Sequence, residues 1–510
     1  MVVAMAPARC ATIHRQAPHG RPPAAPQGSG ACANAMHATT ASSAAADGTT
    51  AAAAAAASDS RPASAAGAAD APPVGCDVLV VGGGPGGSTI AALLARQGRQ
   101  VVLLEKAQHP RFHIGESLLP GNRRLFEALG VQDEVDRIGM PKYGIEFVAP
   151  DGPLRTVVNF GEGWDPALDR AWQVRRSELD ELLFRHAARQ GAQTLEGACV
   201  TGIDFDAEGA TVHARLDDGA PRRWRARFVV DASGRDTLLA RQLDSKRRNP
   251  KHASTALFAH FRQARRLEGR NEGHISICWF EHGWFWFIPL ADGTTSVGAV
   301  CWPYYLKQRD KPLKDFFFET LAMCPELSDR LRGAELVDDT VHATGNFSYE
   351  STHAAGERYL MIGDAFGFID PMFSSGVYLA MQGAFDGADY VATALDRPAA
   401  LPAARRAIDR RFRDGPAAYS WFIYRVTNPT IRDMFLHPKN VFRIKQGLMS
   451  LLAADMRHGL GQRLALAMFR VVYYAISIGH WRRTLAGWRR HREAARDHGP
   501  LRGETVLRTE

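Results

Sequence analysis

Gly82, Gly84 and Gly87 spell G-x-G-x-x-G, with Pro85 and Gly86 inside the motif, and a carboxylate, Glu105, stands 23 residues after the first glycine. Residues of these types at this spacing hold an adenine dinucleotide. Gly82 permits a tight turn, Gly84 lets backbone N–H groups approach a pyrophosphate, and Gly87 lets a helix pack closely on its strand. The N-terminus that opens behind such a loop is an anion site. An acid at the tip of the next strand accepts hydrogen bonds from a ribose 2′-OH. A glycine motif alone is weak evidence; strand, helix, second strand and terminal acid in one register make it specific.

The elements around the motif fit that demand. Val78 to Val81 is an apolar run suited to a buried parallel strand, Ser88 to Gln97 reads as a helix ended by Gly98, and Val101 to Leu104 as the second strand. Two further strand-turn units follow, Phe228 to Arg235 and Tyr359 to Asp370, the latter running into Gly363-Asp364 with a small-residue helix from about Gly376. An amphipathic helix is expected from Asn122 to Ile138, a strand from Ile145 to Val148, and a helix within Trp172 to His186. Residues 253 to 302 alternate as strands: Ile275, Ile277 and Trp279 against Ser276 and Cys278, then Trp284, Trp286 and Ile288 against Phe285 and Phe287, then Ser296 to Cys301. From Pro402 onward the pattern is helical. Leu464 to Ile478 is apolar but short of a ~20-residue span and reads as a buried or peripheral helix.

At 510 residues the chain has room for two or three domains, and 45% hydrophobic with 23% charged residues is a globular composition. Residues 1–74 are rich in Ala, Ser, Gly and Pro and are expected to be disordered, without the apolar core of a secretory signal. Residues 75–400 then hold the nucleotide domain interleaved with a second sheet (about 140–225 and 253–345), and 401–510 a basic helical region. That last region carries 21 Lys and Arg against 8 Asp and Glu, so the rest of a chain of net charge +8 is acidic. A solvated basic face is the leading reading, with peripheral contact to an anionic membrane or acidic partner as the alternative; no nucleic-acid module accompanies it. Seven scattered cysteines with no C-x-x-C pair indicate neither a disulfide framework nor a metal site, and the simplest setting is the cytoplasm.

Three local motifs coincide with this framework: FHIGESLLP at Phe112 to Pro120, W-x-W-x-I-P at Trp284 to Pro289, and DPMFSSGV at Asp370 to Val377. Over about residues 76 to 400 the chain resembles the flavin-dependent halogenases, within the FAD fold of aromatic hydroxylases. The tryptophan motif discriminates best; the other two recur, varied, in hydroxylases and prenyl reductases. The implied fold is α/β: an FAD-binding, Rossmann-like domain interleaved with an antiparallel substrate sheet, plus C-terminal helices. The implied cofactor contacts are Gly82, Gly84, Pro85, Gly86, Gly87, Glu105 and Lys106. Arg111 would reach the pyrophosphate, or else form a surface salt bridge. Gln173 and Arg176 would touch the flavin, or else cap a helix, and Gly363 and Asp364 would meet its ribityl chain.

The resemblance also implies a reaction. Reduced FAD (FADH2) and O2 convert chloride or bromide to hypohalous acid, which a lysine delivers as electrophilic halogen to an aromatic ring. Lys142, the only lysine between Lys106 and Lys246, is the position carried over; a surface lysine at a turn is the alternative. The backbone amides of Ser375 and Gly376 would bind halide, and Trp284 and Trp286 would screen substrate from the flavin. The tryptophan-specific branch has an acid two residues before the Ser/Thr, where this chain has Phe373. That favours a phenol- or pyrrole-type substrate, free or carrier-bound. With one dinucleotide fingerprint, FADH2 would come from a separate NAD(P)H-dependent flavin reductase. The rival readings are an FAD-dependent aromatic monooxygenase, a prenyl-chain reductase and a non-catalytic FAD-binding protein.

Overall fold

Val78, Leu79 and Val80 are fully buried in the strand Val74–Val81, as an apolar run with no polar alternation requires when helices cover both faces of a sheet. The computed structural model describes residues 73–150, 154–345, 348–455 and 459–496. The expected disordered segment therefore lies outside the described residues except for Pro73 and Val74, of which Val74 already belongs to the first strand. That strand pairs in parallel with Val101–Leu104 on one side and Pro221–Asp231 on the other. Val81 is in register with Leu104 and with Asp231, and Asp231 with Met361 of the strand Tyr359–Met361. Four strands thus end at one edge. The turns that follow Val81, Leu104, Asp231 and Met361 lie side by side there, which is where open parallel sheets hold ligands.

The helix Pro85–Arg96 starts with proline at its first position, where no N–H is needed, three residues ahead of the expected start. It packs against Arg176–Arg189 and the long helix Gly376–Asp396. The strands Gln193–Leu195, Ala198–Phe205 and Ala210–Leu216 all join this nucleotide sheet rather than the second one. The boundary of the second sheet is corrected accordingly. Between 140 and 225 only Gly144–Val148 and Arg155–Asn159 enter it. Alternation shows that a strand has a buried face but not which sheet it joins.

The second sheet has eight strands, antiparallel except where Ile275–Phe280 runs parallel to Gly144–Val148. Its alternation separates two cores. Trp284, Trp286 and Ile288 face the large hydrophobic cluster that contains the nucleotide sheet, while Phe285 and Phe287 face a separate cluster under the helices Leu313–Ala322 and Pro325–Arg330. A second correction concerns residues 122–138. Gly130, at φ +79°, ends the helix Asn122–Leu129 in a left-handed cap, and Gln132–Ile138 begins anew. The C-terminal helices join the main core, with the Phe435 ring 4.9 Å from Phe147 and 6.5 Å from Phe373.

Candidate functional site

At the shared strand edge the glycines divide by what surrounds them. A Cβ on Gly87 would fall 1.9 Å from the carbonyl oxygen of Gly82, so that position is closed by the chain itself. One on Gly86 would touch Ala380 at 3.3 Å, which makes it a helix-packing position. Above Gly84 only the Arg111 guanidinium comes near, at 3.6 Å. Space is therefore left open over the loop. Arg111 holds Asp180 at 3.1 Å and Glu105 at 3.5 Å, while its buried Nε has no partner. Glu105 accepts from the N–H of Gly83 at 2.7 Å and of Ala107 at 3.0 Å. An open glycine, an unpaired guanidinium N–H and a strand-tip carboxylate fit the diphosphate and ribose of FAD. Lys106 stands outside this group, pairing with Asp236 at the surface.

Gly363 and Asp364 follow the neighbouring strand. Gly363 adopts φ +57°, and burial pushes the Asp364 carboxyl up to about 6 against the pull of Arg235 and Arg176. Arg176 is itself spent on the protein: it grips Asp180 through Nε and Nη2 at 2.8 and 3.0 Å and donates to the carbonyl of Ile114 at 3.0 Å. The pair is i,i+4 on one helix and fixes the loop that carries the G-E-S residues. Gln173 donates to the carbonyl of Gly273 at 3.0 Å, and its buried Oε1 is unpaired.

Lys142 ends the strand Met140–Lys142, which pairs with Ala171–Gln173, and it is 1% exposed. Its Nζ donates to Ser117 Oγ and to the carbonyl of Leu118, both at 2.9 Å. Burial without a carboxylate partner pushes its pKa down to about 7. Gly273 lies so close that a Cβ there would meet the Pro141 carbonyl oxygen at 1.9 Å, and the next residue, His274, is near enough to Lys142 to feel its charge. Both His274 ring nitrogens are buried and unpaired. Burial, then Lys142 and Arg270, push that imidazole down to about 4, so it is neutral. A near-neutral amine, a neutral imidazole and an unpaired amide oxygen are thus buried around this strand pair. Sequence reading named the lysine and missed Ser117 and His274 as its companions. The G-E-S motif was the available signal for Ser117; His274 had none.

Asp370 organises the other end. Its carboxylate accepts from His252 Nε2 at 2.8 Å, Ser254 Oγ at 2.9 Å and the Met372 N–H at 3.0 Å. The turn it caps puts Ser374 at φ +56° and starts the helix Gly376–Asp396. The N–H groups of Ser375 and Gly376 open that helix and have no intrahelical acceptor. Both residues line a cavity of about 1000 Å³, together with Gly363, Asp364 and Gly121. Lys142 does not line it. The loop from Ser117 to Gly121 runs between the two. Trp286 donates to Ser296 Oγ at 3.1 Å with its ring over Gly298, and Trp284 shares a small crevice with His252 and Asp370. Phe373 is packed among Tyr419, Phe422 and Phe435.

A glycine loop open toward Arg111, a strand-tip carboxylate and a cavity reached by Gly363, Asp364 and the N-terminus of the helix Gly376–Asp396 are the frame of an FAD-binding protein. The family model described as an FAD binding domain matches residues 75–401. The chain is 32% identical over 393 residues to the flavin-dependent halogenase armH4 of Armillaria mellea, covering 71% of this chain and 73% of that one. It is 35% identical over 317 residues to the tryptophan 2-halogenase of Chondromyces crocatus, covering 60% and 59%. Among solved structures, the myxobacterial chondrochloren halogenase CndH superposes with a TM-score of 0.66 at 28% identity, covering 76% of this chain and 99% of that one. The chain belongs to the flavin-dependent halogenase family. It spans less than two thirds of the length of several relatives it matches.

Proposed function

We propose that this chain halogenates an electron-rich aromatic of phenol or pyrrole type, with Lys142 carrying the halogen. The observation that supports it most is the Lys142 amine: buried, held by a hydroxyl and a carbonyl, free of any carboxylate partner among the described residues, and poised near pH 7. Bound as FADH2, the cofactor would supply, with O2, the oxidation of chloride or bromide to hypohalous acid. The amides of Ser375 and Gly376 would hold the halide at the helix N-terminus. The glycine loop, Arg111 and Glu105 would hold the dinucleotide; Arg176 would act through the loop it braces.

Neutral Lys142 would attack the halogen of the acid, forming N–halogen and releasing water. An aromatic carbon would then take the halogen, its ring proton passing to solvent or to the restored amine. Arginine could not do this, because guanidinium stays protonated. Phe373 in place of an acid favours phenols and pyrroles, free or on a carrier; the relative named for tryptophan keeps indoles in the test panel. The reading takes FADH2 from a separate NAD(P)H-dependent flavin reductase.

The test is product analysis with a supplied reductase, chloride or bromide, and a panel of phenols, pyrroles and indoles. Halogenated product from wild type and none from Lys142→Met is expected. Hydroxylated product indifferent to halide and to Lys142 would give the assignment to an aromatic monooxygenase.

A further inference from the structure

The helix Leu460–Gly479 is buried on one side only. Ala465, Phe469 and Tyr473 face the core, while Leu460, Leu464, Val471, Tyr474 and Ile478 face solvent, with Leu460 and Ile478 each 75% exposed. The spacing of the exposed set is four, seven, three and four residues, one continuous stripe along the helix. The chain bends 107° and continues into Trp481–Arg496, where Trp481 is 58% exposed and Leu485 is also open. No single described helix is long and apolar enough to cross a membrane.

Charge says what covers this face. Residues 460–493 hold seven arginines and one acid, Glu493. Arg463, Arg470 and Arg482 are exposed beside Leu464, Val471 and Trp481. Arg483 is already paired with Asp433 at 2.9 Å. Two copies joined stripe to stripe would bring these arginine rows together with one acid to offset them, which like-charge repulsion opposes. An anionic bilayer answers both features. Its acyl boundary takes the apolar stripe, its headgroups take the arginines, and Tyr474 and Trp481 are residue types that favour the boundary.

We infer that the bent helix pair Leu460–Gly479 and Trp481–Arg496 docks the protein on an anionic lipid surface. The stripe supplies area and the arginines supply selectivity for anionic over neutral lipid. This is independent of the halogenation reading, since none of these residues belongs to the cofactor loop or to the contacts of Lys142.

Flotation of the full-length, FAD-loaded protein with vesicles tests it. Vesicles rich in phosphatidylglycerol should retain at least about tenfold more protein than phosphatidylcholine vesicles, and high salt should release most of it. The pair Leu464→Glu and Ile478→Glu should abolish flotation with flavin content and melting temperature unchanged, because both positions are exposed. Replacing Arg463, Arg470 and Arg482 by glutamine should weaken anionic binding roughly a hundredfold, at about fivefold for each arginine. Equal binding to both lipids, or variants that float like wild type, would overturn the inference. So would a concentration-dependent dimer, dissociated by the glutamate pair, that ignores vesicles.

Discussion

Lys142 Nζ and Ser117 Oγ lie 2.9 Å apart in the interior, and through them the connection that leaves the nucleotide sheet is tied to the strand Met140–Lys142. Ser117 also bridges to Gln173, the residue that ends the strand beside Lys142. One hydroxyl therefore orients an amine that, among the described residues, has one other acceptor, the Leu118 carbonyl. Ser117→Ala should leave flavin content at the wild-type level. Product formation should fall roughly 10- to 100-fold, the cost of leaving a buried polar group without its partner. Single-turnover assays with pre-reduced enzyme check this, and a variant as fast as wild type would show that the contact does not position the amine.

The glycine loop makes a paired prediction. Gly84→Val places a branched side chain in the open space above the loop, so FAD should be lost while the fold stands. Gly87→Ala has a backbone oxygen 1.9 Å from its new carbon, so the helix must shift and stability itself should fall, by several kcal/mol. Flavin absorbance and melting temperature of the purified variants separate the two. Equal melting temperatures would contradict the packing argument.

These contrasts mark what could be read from the chain before its structure. The loop, Glu105 and both flanking strands were legible because each element is local, and Val101–Leu104 falls where the pattern puts it. Four strands ending together could be anticipated only as three separate strand-turn units, since register is a tertiary fact. The strands from Gln193 to Leu216 went to the wrong sheet because period-2 alternation looks alike in either. Gly130 was absorbed into a helix because the apolar spacing continues on both sides of it. Lys142 was put forward by resemblance, whereas His274, 132 residues away, comes near it only through the parallel pairing that follows it, Ile275 against Ile145. Arg176 was expected at the flavin or as a helix cap, and the structure gives its guanidinium to Asp180, four residues on along the same helix, and to the loop carbonyls.

Asp370 should prove structural for the halide end. It is 3% exposed and gathers His252, Ser254 and the Met372 N–H. Asp370→Ala strips all three at once and should cost about 3 to 5 kcal/mol, as for other broken buried charge partners. Asp370→Asn keeps one acceptor and should cost less, with a raised apparent KM for bromide as the Ser374–Gly376 turn loosens. Thermal melts and halide titrations test both halves. Unchanged halide dependence in a folded Asp370→Asn variant would detach the turn from halide binding.

The last prediction concerns Lys142, where chemistry and stability give opposite signs. As halogen carrier it must be neutral, so product formation should rise with pH through about 7 and level off above it. Lys142→Met keeps length and apolar bulk, and flavin binding and reduction need no amine. Both should persist while halogenated product falls by at least ~10²-fold, the lower range for a positioned proton-transfer group. Lys142→Arg should not rescue. Stability should move the other way. The folded state holds this amine at about 7 against 10.5 ordinarily, so it binds fewer protons than the unfolded chain between those values. The burden on wild type is therefore full below pH 7 and fades as pH rises toward 10.5. Lys142→Met removes it, so the variant should be more stable than wild type near neutrality. Its advantage should shrink by on the order of 2 kcal/mol between pH 7 and pH 9. Denaturant unfolding of both proteins at the two pH values measures this directly. A pH-independent difference would mean that the amine is solvated or ion-paired in the folded state, and the neutral-carrier mechanism would fall with it.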